Sequence, residues 1–305
     1  MRMSEINLFE LISNGQANEI TSSSFYIEKK LQSIIEKNMS TFFGVRFIES
    51  EYRIDNGRID SLGIDENNNP VIFEYKRSSS ENVINQGLFY MDWLVSHKDA
   101  FYVLVMKKLG KEFADKIDWS LPRLYCVANN FTKFDENAIR QMSRNISLYR
   151  YRLYGEKHIL FELLGSNVVN KDQSDQDGNV VTQPDKKYID QTFSSRYEKA
   201  PQKFKVLYEN IKSYTLSLGD DVTENQLKLY TAFKKIKNFM CVEIHPSTII
   251  LYLKLDPTKE TLVSGFSRDV TNIGHWGTGD LEVTITDDTT YEQAKNLIEK
   301  AYFNN

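Results

Sequence analysis

The sequence predicts a mixed α/β sheet flanked by helices, followed by a smaller α+β domain. Three observations carry this prediction. Strand-like and helix-like periods interleave over residues 1–165, the pattern of a central sheet with helices on its faces. A polar segment then interrupts the chain. Beyond it, helical material precedes a set of short strands and a last helix.

INLFEL and GQANEI read as a short hairpin about Asn14-Gly15. Residues 25–39 have helical spacing, with Ile27, Leu31, Ile34 and Ile35 on one face. Strands are expected at 45–54, 57–65 and 70–77, the last two joined by the turn formers Glu66-Asn67-Asn68-Asn69. A helix at 81–96 follows, then strands at 100–106 and 123–129 and a helix at 135–144. Residues 166–187 are rich in Asp, Asn, Gln, Ser and Lys and contain no aromatic residue, so 166–189 is read as a polar linker. It separates a domain at 1–165 from one at 190–305. In the second domain, helices are expected over 196–218 and 222–236, strands at 239–244, 248–255 and 280–286, and a helix at 290–302.

With 41% hydrophobic and 26% charged residues over 305 positions, the chain has enough apolar material for real cores. The 17 Tyr and 18 Phe make aromatic packing prominent. No apolar run approaches a membrane span, so no membrane partner is expected. The start, MRMSEINLFEL, is acidic and patterned rather than signal-like. Cys126 and Cys241 lie far apart and form neither a disulfide framework nor a metal motif. Both suit a reducing cytoplasm, as small core residues. The net charge of -4 does not mark a nucleic-acid binder, yet a cleft can be locally basic in an acidic protein.

Chemistry concentrates in Gly57-Arg58-Ile59-Asp60 and Phe73-Glu74-Tyr75-Lys76. Strand alternation points Glu74 and Lys76 the same way, about 7 Å apart. The turn between the strands brings Asp60 towards Glu74. E-x-K alone is a common surface pattern. Here Val71-Ile72-Phe73 leads straight into Glu74, and a carboxylate at the end of a buried strand is costly unless used. Asp60 and Glu74 are expected to hold Mg²⁺ (or Mn²⁺), a hard cation that favours oxygen ligands. Lys76 would orient or deprotonate a water, or stabilise developing charge. At about 100° per residue, Glu28 falls at the edge of the apolar stripe of its helix, whereas Glu36 points away to solvent. Gln86 and Tyr90, one helical turn apart, are placed to line the same cleft.

D60…E74-x-K76, with Glu28 before it and Q86-x-x-x-Y90 after it, resembles the PD-(D/E)xK nuclease superfamily. It is closest to the branch with a Q-x-x-x-Y helix, which includes RecB-like and NucS-like nucleases. The resemblance implies a restriction-endonuclease-like fold and metal-dependent phosphodiester hydrolysis in DNA (or RNA), in repair or defence. It implies Asp60 and Glu74 as metal ligands, the Tyr75 carbonyl and Glu28 as further ligands, Lys76 as catalytic lysine, and Gln86 and Tyr90 as cleft residues. Such nucleases often work as dimers, so a homodimer is compatible with it. Ile59 stands where the superfamily's name has Pro.

Arg140, Arg144 and Arg150 lie in a basic-aromatic stretch suited to phosphates and bases, and Arg77 adjoins Lys76. For Arg150 and Arg152 an edge strand of alternating charge is the preferred explanation. In the second domain, Gly274-His275-Trp276-Gly277-Thr278-Gly279-Asp280 is the most distinctive string. His275 and Asp280 could act on a ligand and Trp276 could stack on it. The plainer reading, in which Trp276 fills core space and His275 caps a neighbour, is preferred. This half resembles an uncharacterised domain family with a similar loop, often found behind such a nuclease-like half. The alternative to a nuclease is a catalytically silent protein that binds nucleic acid or a partner on the same scaffold.

Overall fold

The computed structural model describes residues 6–13, 15–24, 28–76, 83–167 and 192–305. The chain forms two compact units, Met1–Val169 and Asn170–Asn305.

In the first unit, β1 (Leu8–Leu11) and β2 (Ala17–Ile20) make the expected antiparallel hairpin, with Leu8 opposite Ile20. The following elements are β3 (Ser22–Ser23), α1 (Glu28–Phe43), β4 (Val45–Ile54), β5 (Gly57–Asp65), β6 (Pro70–Lys76) and α2 (Val83–Ser96). Then come α3 (Lys98–Leu109), α4 (Lys111–Ala114), β7 (Arg123–Ala128), α5 (Lys133–Arg140), β8 (Asn145–Tyr154) and β9 (His158–Asn167). A seven-stranded sheet has the order β3-β8-β7-β6-β5-β4, with β9 also on β8. The β6–β7 and β7–β8 pairs are parallel and the others antiparallel. The mixed sheet flanked by helices, with a smaller second unit, is therefore the observed fold class.

The parallel centre explains its own sequence. Parallel strands are covered on both faces and read as continuous apolar runs, as in Val71-Ile72-Phe73 and residues 124–128 of β7, a strand buried throughout. One face is aromatic. Phe43 of α1 lies 5.3 Å from Phe73, 5.1 Å from Tyr149 and 4.9 Å from Phe161, ring to ring. The other is aliphatic, where Met91 and Leu94 of α2 and Val105 of α3 join Ile72, Leu124 and Leu148.

Residues 100–106 are helical, in α3, not a strand. Their apolar run is unbroken and so carries no period. The folded chain selects one helix face through Phe101 and Val105, four apart, while Asp99 in the first turn and Lys107 and Lys108 in the last favour the helix dipole. The expected linker loses its first two residues to β9, which runs to Asn167.

In the second unit, the helix expected over 196–218 is two. They are α6 (Phe193–Lys199) and α7 (Gln202–Ser217), broken because Pro201 drives Ala200 out of helical geometry to ψ 144. Residues 222–236 form a hairpin, β10 (Thr223–Gln226) and β11 (Thr231–Lys234), not a helix. Thr231-Ala232-Phe233-Lys234 is buried throughout and paired on both sides, and this cross-strand pairing overrides the helix-forming lysines around it. With β12 (Asn238–Ile244), β13 (Ile249–Leu253), β14 (Ser267–Asp269) and β15 (Leu281–Ile285) they make an antiparallel sheet ordered β10-β11-β12-β13-β15-β14. Leu207 and Ile211 of α7 and Ala294 and Ile298 of α8 (Asp288–Phe303) join its apolar face at Val242, Leu251 and Val283. Among the described residues no helix is long and apolar enough to cross a membrane.

At the far end of β5, Asp65 accepts from the backbone N–H groups of Asn67 (2.9 Å) and Asn69 (2.8 Å) and from Nε of the buried Arg123 (3.0 Å). Removing one partner of a buried ion pair strands the other charge. We predict that Asp65→Ala costs about 3–5 kcal/mol in urea unfolding, with much of it recovered when Arg123 is also replaced by Met. An Asp65→Ala midpoint equal to that of the unchanged protein contradicts this.

Candidate active site

The β5–β6 ladder pairs Ile64 with Pro70 through Ser61 with Phe73. One step further Asp60 faces Glu74, and there side chains replace the ladder. The Tyr75 N–H donates to Asp60 Oδ2 at 3.0 Å, and the Asp60 N–H donates to Glu74 Oε1 at 3.3 Å. Each acid thus holds the backbone of the opposite strand. Glu74 is 0% exposed and its Oε2 has no hydrogen-bond partner among the described residues. Asp60 and Lys76 are half-buried.

Burial raises the pKa of both acids. For Glu74 it acts with the nearby Asp60 charge to push the value from 4.5 up to about 9. Asp60 is raised by burial first, against the Tyr75 N–H and the Lys76 ammonium, which favour its charge. Two carboxylates this close cannot both ionise easily, so the pair holds a proton in common.

Gln86 and Tyr90 meet at the start of β5. Gln86 Nε2 donates to Tyr90 Oη at 3.1 Å, and the Arg58 N–H donates to the same oxygen at 3.3 Å. A Cβ on Gly57 would lie 2.7 Å from the Tyr90 ring, so glycine permits this contact. The Gln86–Tyr90 pair fastens α2 to the strand that carries Asp60.

On α1 the expected phase is corrected. The buried residues are Leu31, Gln32, Ile35, Met39 and Phe43, and the helix kinks at Asn38 (φ -125°, ψ 18°). Ile34 and Phe42 are half-buried. The true stripe includes a polar residue, which an apolar count passes over. Glu36 does not point to solvent. Its Oε1 accepts from Gln32 Nε2 (2.9 Å), Ser50 Oγ (2.7 Å) and Ser61 Oγ (2.7 Å). Gln32 Nε2 also donates to the Asp60 carbonyl at 2.9 Å. Glu28, half-buried, stands one turn before Gln32. Among the described residues no group of three or more His, Cys, Asp or Glu side chains is placed to hold a metal ion.

Of the arginines, Arg77 lies outside the described residues. Arg140 ends α5 and is exposed. Arg144 reaches Asp92 at 3.6 Å on the surface. Arg150 is corrected as a nucleic-acid contact, because its side chain is 4% exposed and its Nε donates to Glu162 at 3.0 Å. Strand alternation turned it inward, where β9 supplies the counter-charge.

In the second unit the His275 ring stacks on Tyr252 at 4.2 Å. Gly277 (φ 87°) lies against Cys241 and Gly279 (φ 140°) against the backbone of Tyr252 and Leu253. These glycines seat the loop on the sheet. Trp276 is 53% exposed and does not fill core space, while Asp280 is exposed and its carbonyl accepts from the Val270 N–H.

One neighbour of the pair escaped the periodicity argument. Glu51 is left-handed (φ 53°) inside β4. It sits between the Ser50–Ser61 and Tyr52–Ile59 pairs, hence beside Asp60. A charged residue at positive φ leaves no mark in a hydrophobic pattern.

Residues 190–305 match the family model described as Domain of unknown function (DUF5655). Over 296 residues the chain is 28% identical to a Haemophilus influenzae protein described as an uncharacterized protein, covering 94% of this chain and 96% of the relative. Among solved structures it is similar to a repair endonuclease from Pyrococcus abyssi, at 18% identity and TM-score 0.28, over 42% of this chain and 48% of that one. It is also similar to the EndoMS–dsDNA2 complex (18% identity, TM-score 0.25, 42% of this chain and 49% of that one). EndoMS in apo form matches at 21% identity and TM-score 0.24, over 41% and 46%. The chain spans about half the length of these structures, and at such scores no residue role carries over.

The Glu74 pKa has a measurable consequence. Between 4.5 and about 9 the folded state keeps a proton that the unfolded chain releases, so stability falls as pH rises through that window. Without divalent metal, Glu74→Gln is expected to flatten this slope and to melt above the unchanged protein at pH 8. Identical pH dependence of melting in both proteins contradicts the shared proton.

Proposed function

We propose that the first unit is a metal-dependent nuclease that hydrolyses phosphodiester bonds in DNA (or RNA). The observation that carries this reading is the buried Glu74 facing Asp60, with Lys76 two residues on at the end of an apolar strand. Ionising an acid buried there costs several kcal/mol, on the order of the whole stability margin of a domain. The donor set fits a hard cation, since both groups offer carboxylate oxygen and Glu74 Oε2 is buried without a partner among the described residues. Mg²⁺ or Mn²⁺ would be held by Asp60 and Glu74, with the Tyr75 carbonyl and Glu28 as the further ligands of this proposal. Such an ion, when bound, neutralises phosphate charge and acidifies a water.

The protein's own groups do the rest. The Lys76 ammonium orients the attacking water and stabilises charge developing on the phosphate oxygens. The reciprocal N–H bonds across β5 and β6 keep the acids in place, and the Gln86–Tyr90 clasp fixes α2 beside them. The second unit, with Trp276 exposed on its loop, is assigned to recognition or assembly. Cys126 and Cys241 are buried and not bridged to each other, which fits a reducing cytoplasm as the place of action. A second reading, a binding protein that no longer cuts, draws on the pair being two acids rather than three among the described residues.

The test is incubation with single-stranded, branched and duplex DNA in Mg²⁺ or Mn²⁺. The unchanged protein should cut at least one substrate, and Asp60→Ala, Glu74→Gln and Lys76→Ala should each lose about 10²–10⁴-fold in rate. Cleavage by Asp60→Ala at the unchanged rate, or salt-sensitive binding without cleavage by any preparation, removes the nuclease reading.

A further inference from the structure

We propose that Lys29 and Arg58 form a phosphate-binding pair at the rim of the Asp60–Glu74 site, and that Glu51 holds them in place until a nucleic-acid backbone displaces it. The proposal rests on the nuclease reading and adds to it how the substrate strand is gripped.

Glu51 is one of two non-glycine residues at positive φ among the described residues. The other, Asn68, sits in the β5–β6 turn, where asparagine adopts that conformation readily. Glu51 lies inside a strand, where an acidic residue gains nothing from it. The consequence is in the side-chain directions. Consecutive strand residues normally face opposite ways, yet both Ser50 and Glu51 reach α1. Ser50 donates to Glu36 (2.7 Å), and Glu51 takes Lys29 Nζ at 2.5 Å on one carboxylate oxygen. Its other oxygen takes Arg58 Nη1 at 2.8 Å. The left-handed turn of the backbone thus lets one carboxylate tie the first turn of α1 to the start of β5.

Arg58 is prepared for a ligand. Its main chain is pinned by the Tyr90 hydroxyl (3.3 Å), and Gly57 before it is pressed against the same ring. It precedes Asp60 by two residues in β5, about 7 Å along the strand, a spacing comparable to that between neighbouring phosphates on a strand. Lys29 adjoins Glu28 in the chain. The two cations are 55% and 62% exposed, so Glu51 holds them through weak, solvent-screened pairs. A guanidinium has five donors in a planar fork, and a phosphodiester offers a charge-assisted partner for it. Exchange of Glu51 for phosphate therefore keeps the cations satisfied while drawing the strand over the two acids.

The test is anisotropy of fluorescein-labelled single-stranded and duplex oligonucleotides, in EDTA to block cutting, across a salt series. Arg58→Ala and Lys29→Ala should each weaken binding about three- to tenfold at low salt and lower the slope of log K against log salt by about one. Arg58→Lys should keep the slope, and melting temperatures of all variants identify any that misfold. Glu51→Gln should tighten binding, since it frees both cations. Variants at Arg58 and Lys29 that bind with the unchanged affinity and slope, or a Glu51→Gln variant that binds more weakly, overturn the proposal. If these fail while the unchanged protein cuts DNA, the nuclease reading stands and the phosphate pair does not. If the slope changes appear but no preparation cuts, the phosphate pair stands and the nuclease reading does not. A protein that binds no oligonucleotide in EDTA overturns the phosphate pair, and the nuclease reading is then decided by cutting in Mg²⁺ or Mn²⁺ alone.

Discussion

The burial of the Glu74 carboxylate beside Asp60 is the constraint around which the first unit is arranged. An ionised acid in an apolar sheet is costly, and two together are worse. The structure answers by ending the β5–β6 ladder at that point, so that each acid receives the N–H that the other strand would otherwise have paired. The residue after each acid braces the opposite face of the sheet. Tyr75 Oη donates to Ser61 Oγ at 3.1 Å, Ser61 donates to Glu36, and Gln32 links Glu36 to the Asp60 carbonyl. Burial pushes the Tyr75 phenol well up, so it stays a hydrogen-bond donor. Each such bond contributes about 1 kcal/mol, too little to offset a buried charge. The network therefore sets position, and the charge is left for a proton or a cation to balance.

Much of this was legible in the chain. Period-two runs bounded by turn formers located β4 and β5 at their observed limits, and β6 to within a residue. The apolar lead into Glu74 and the spacing to Lys76 placed the acid at the end of a buried strand. Gln86 and Tyr90, four apart on one helix face, do bond to each other. What was not legible has physical causes. An unbroken apolar run such as residues 101–106 has no period, so α3 could not be told from a strand. The buried face of α1 contains Gln32, and Glu36 earns its inward position from Ser50 and Ser61, residues distant in sequence. Arg150 faces inward because β9 brings Glu162, again a partner that no local pattern announces.

The second unit follows a plainer rule. Helices α7 and α8 cover one face of an antiparallel sheet, and the Gly274–Asp280 loop lies on the other. A lateral row of paired residues crosses that second face, from Asn225 through Ala232, Cys241 and Tyr252 to Glu282 and Arg268. Positive φ at Gly277 and Gly279 allows the loop backbone to approach this row, where a Cβ would collide. The cost of that close seat is an exposed Trp276, held out by the same turn that packs its neighbours.

The claim that Asp60 and Glu74 are a cation site built on a shared proton is tested most directly by titrating Mn²⁺ calorimetrically at pH 7.5 in buffers of different ionisation enthalpy. Displacement of the shared proton predicts release of about one proton per bound Mn²⁺, with binding lost in Glu74→Gln. Binding without proton release, or binding unchanged by Glu74→Gln, contradicts it.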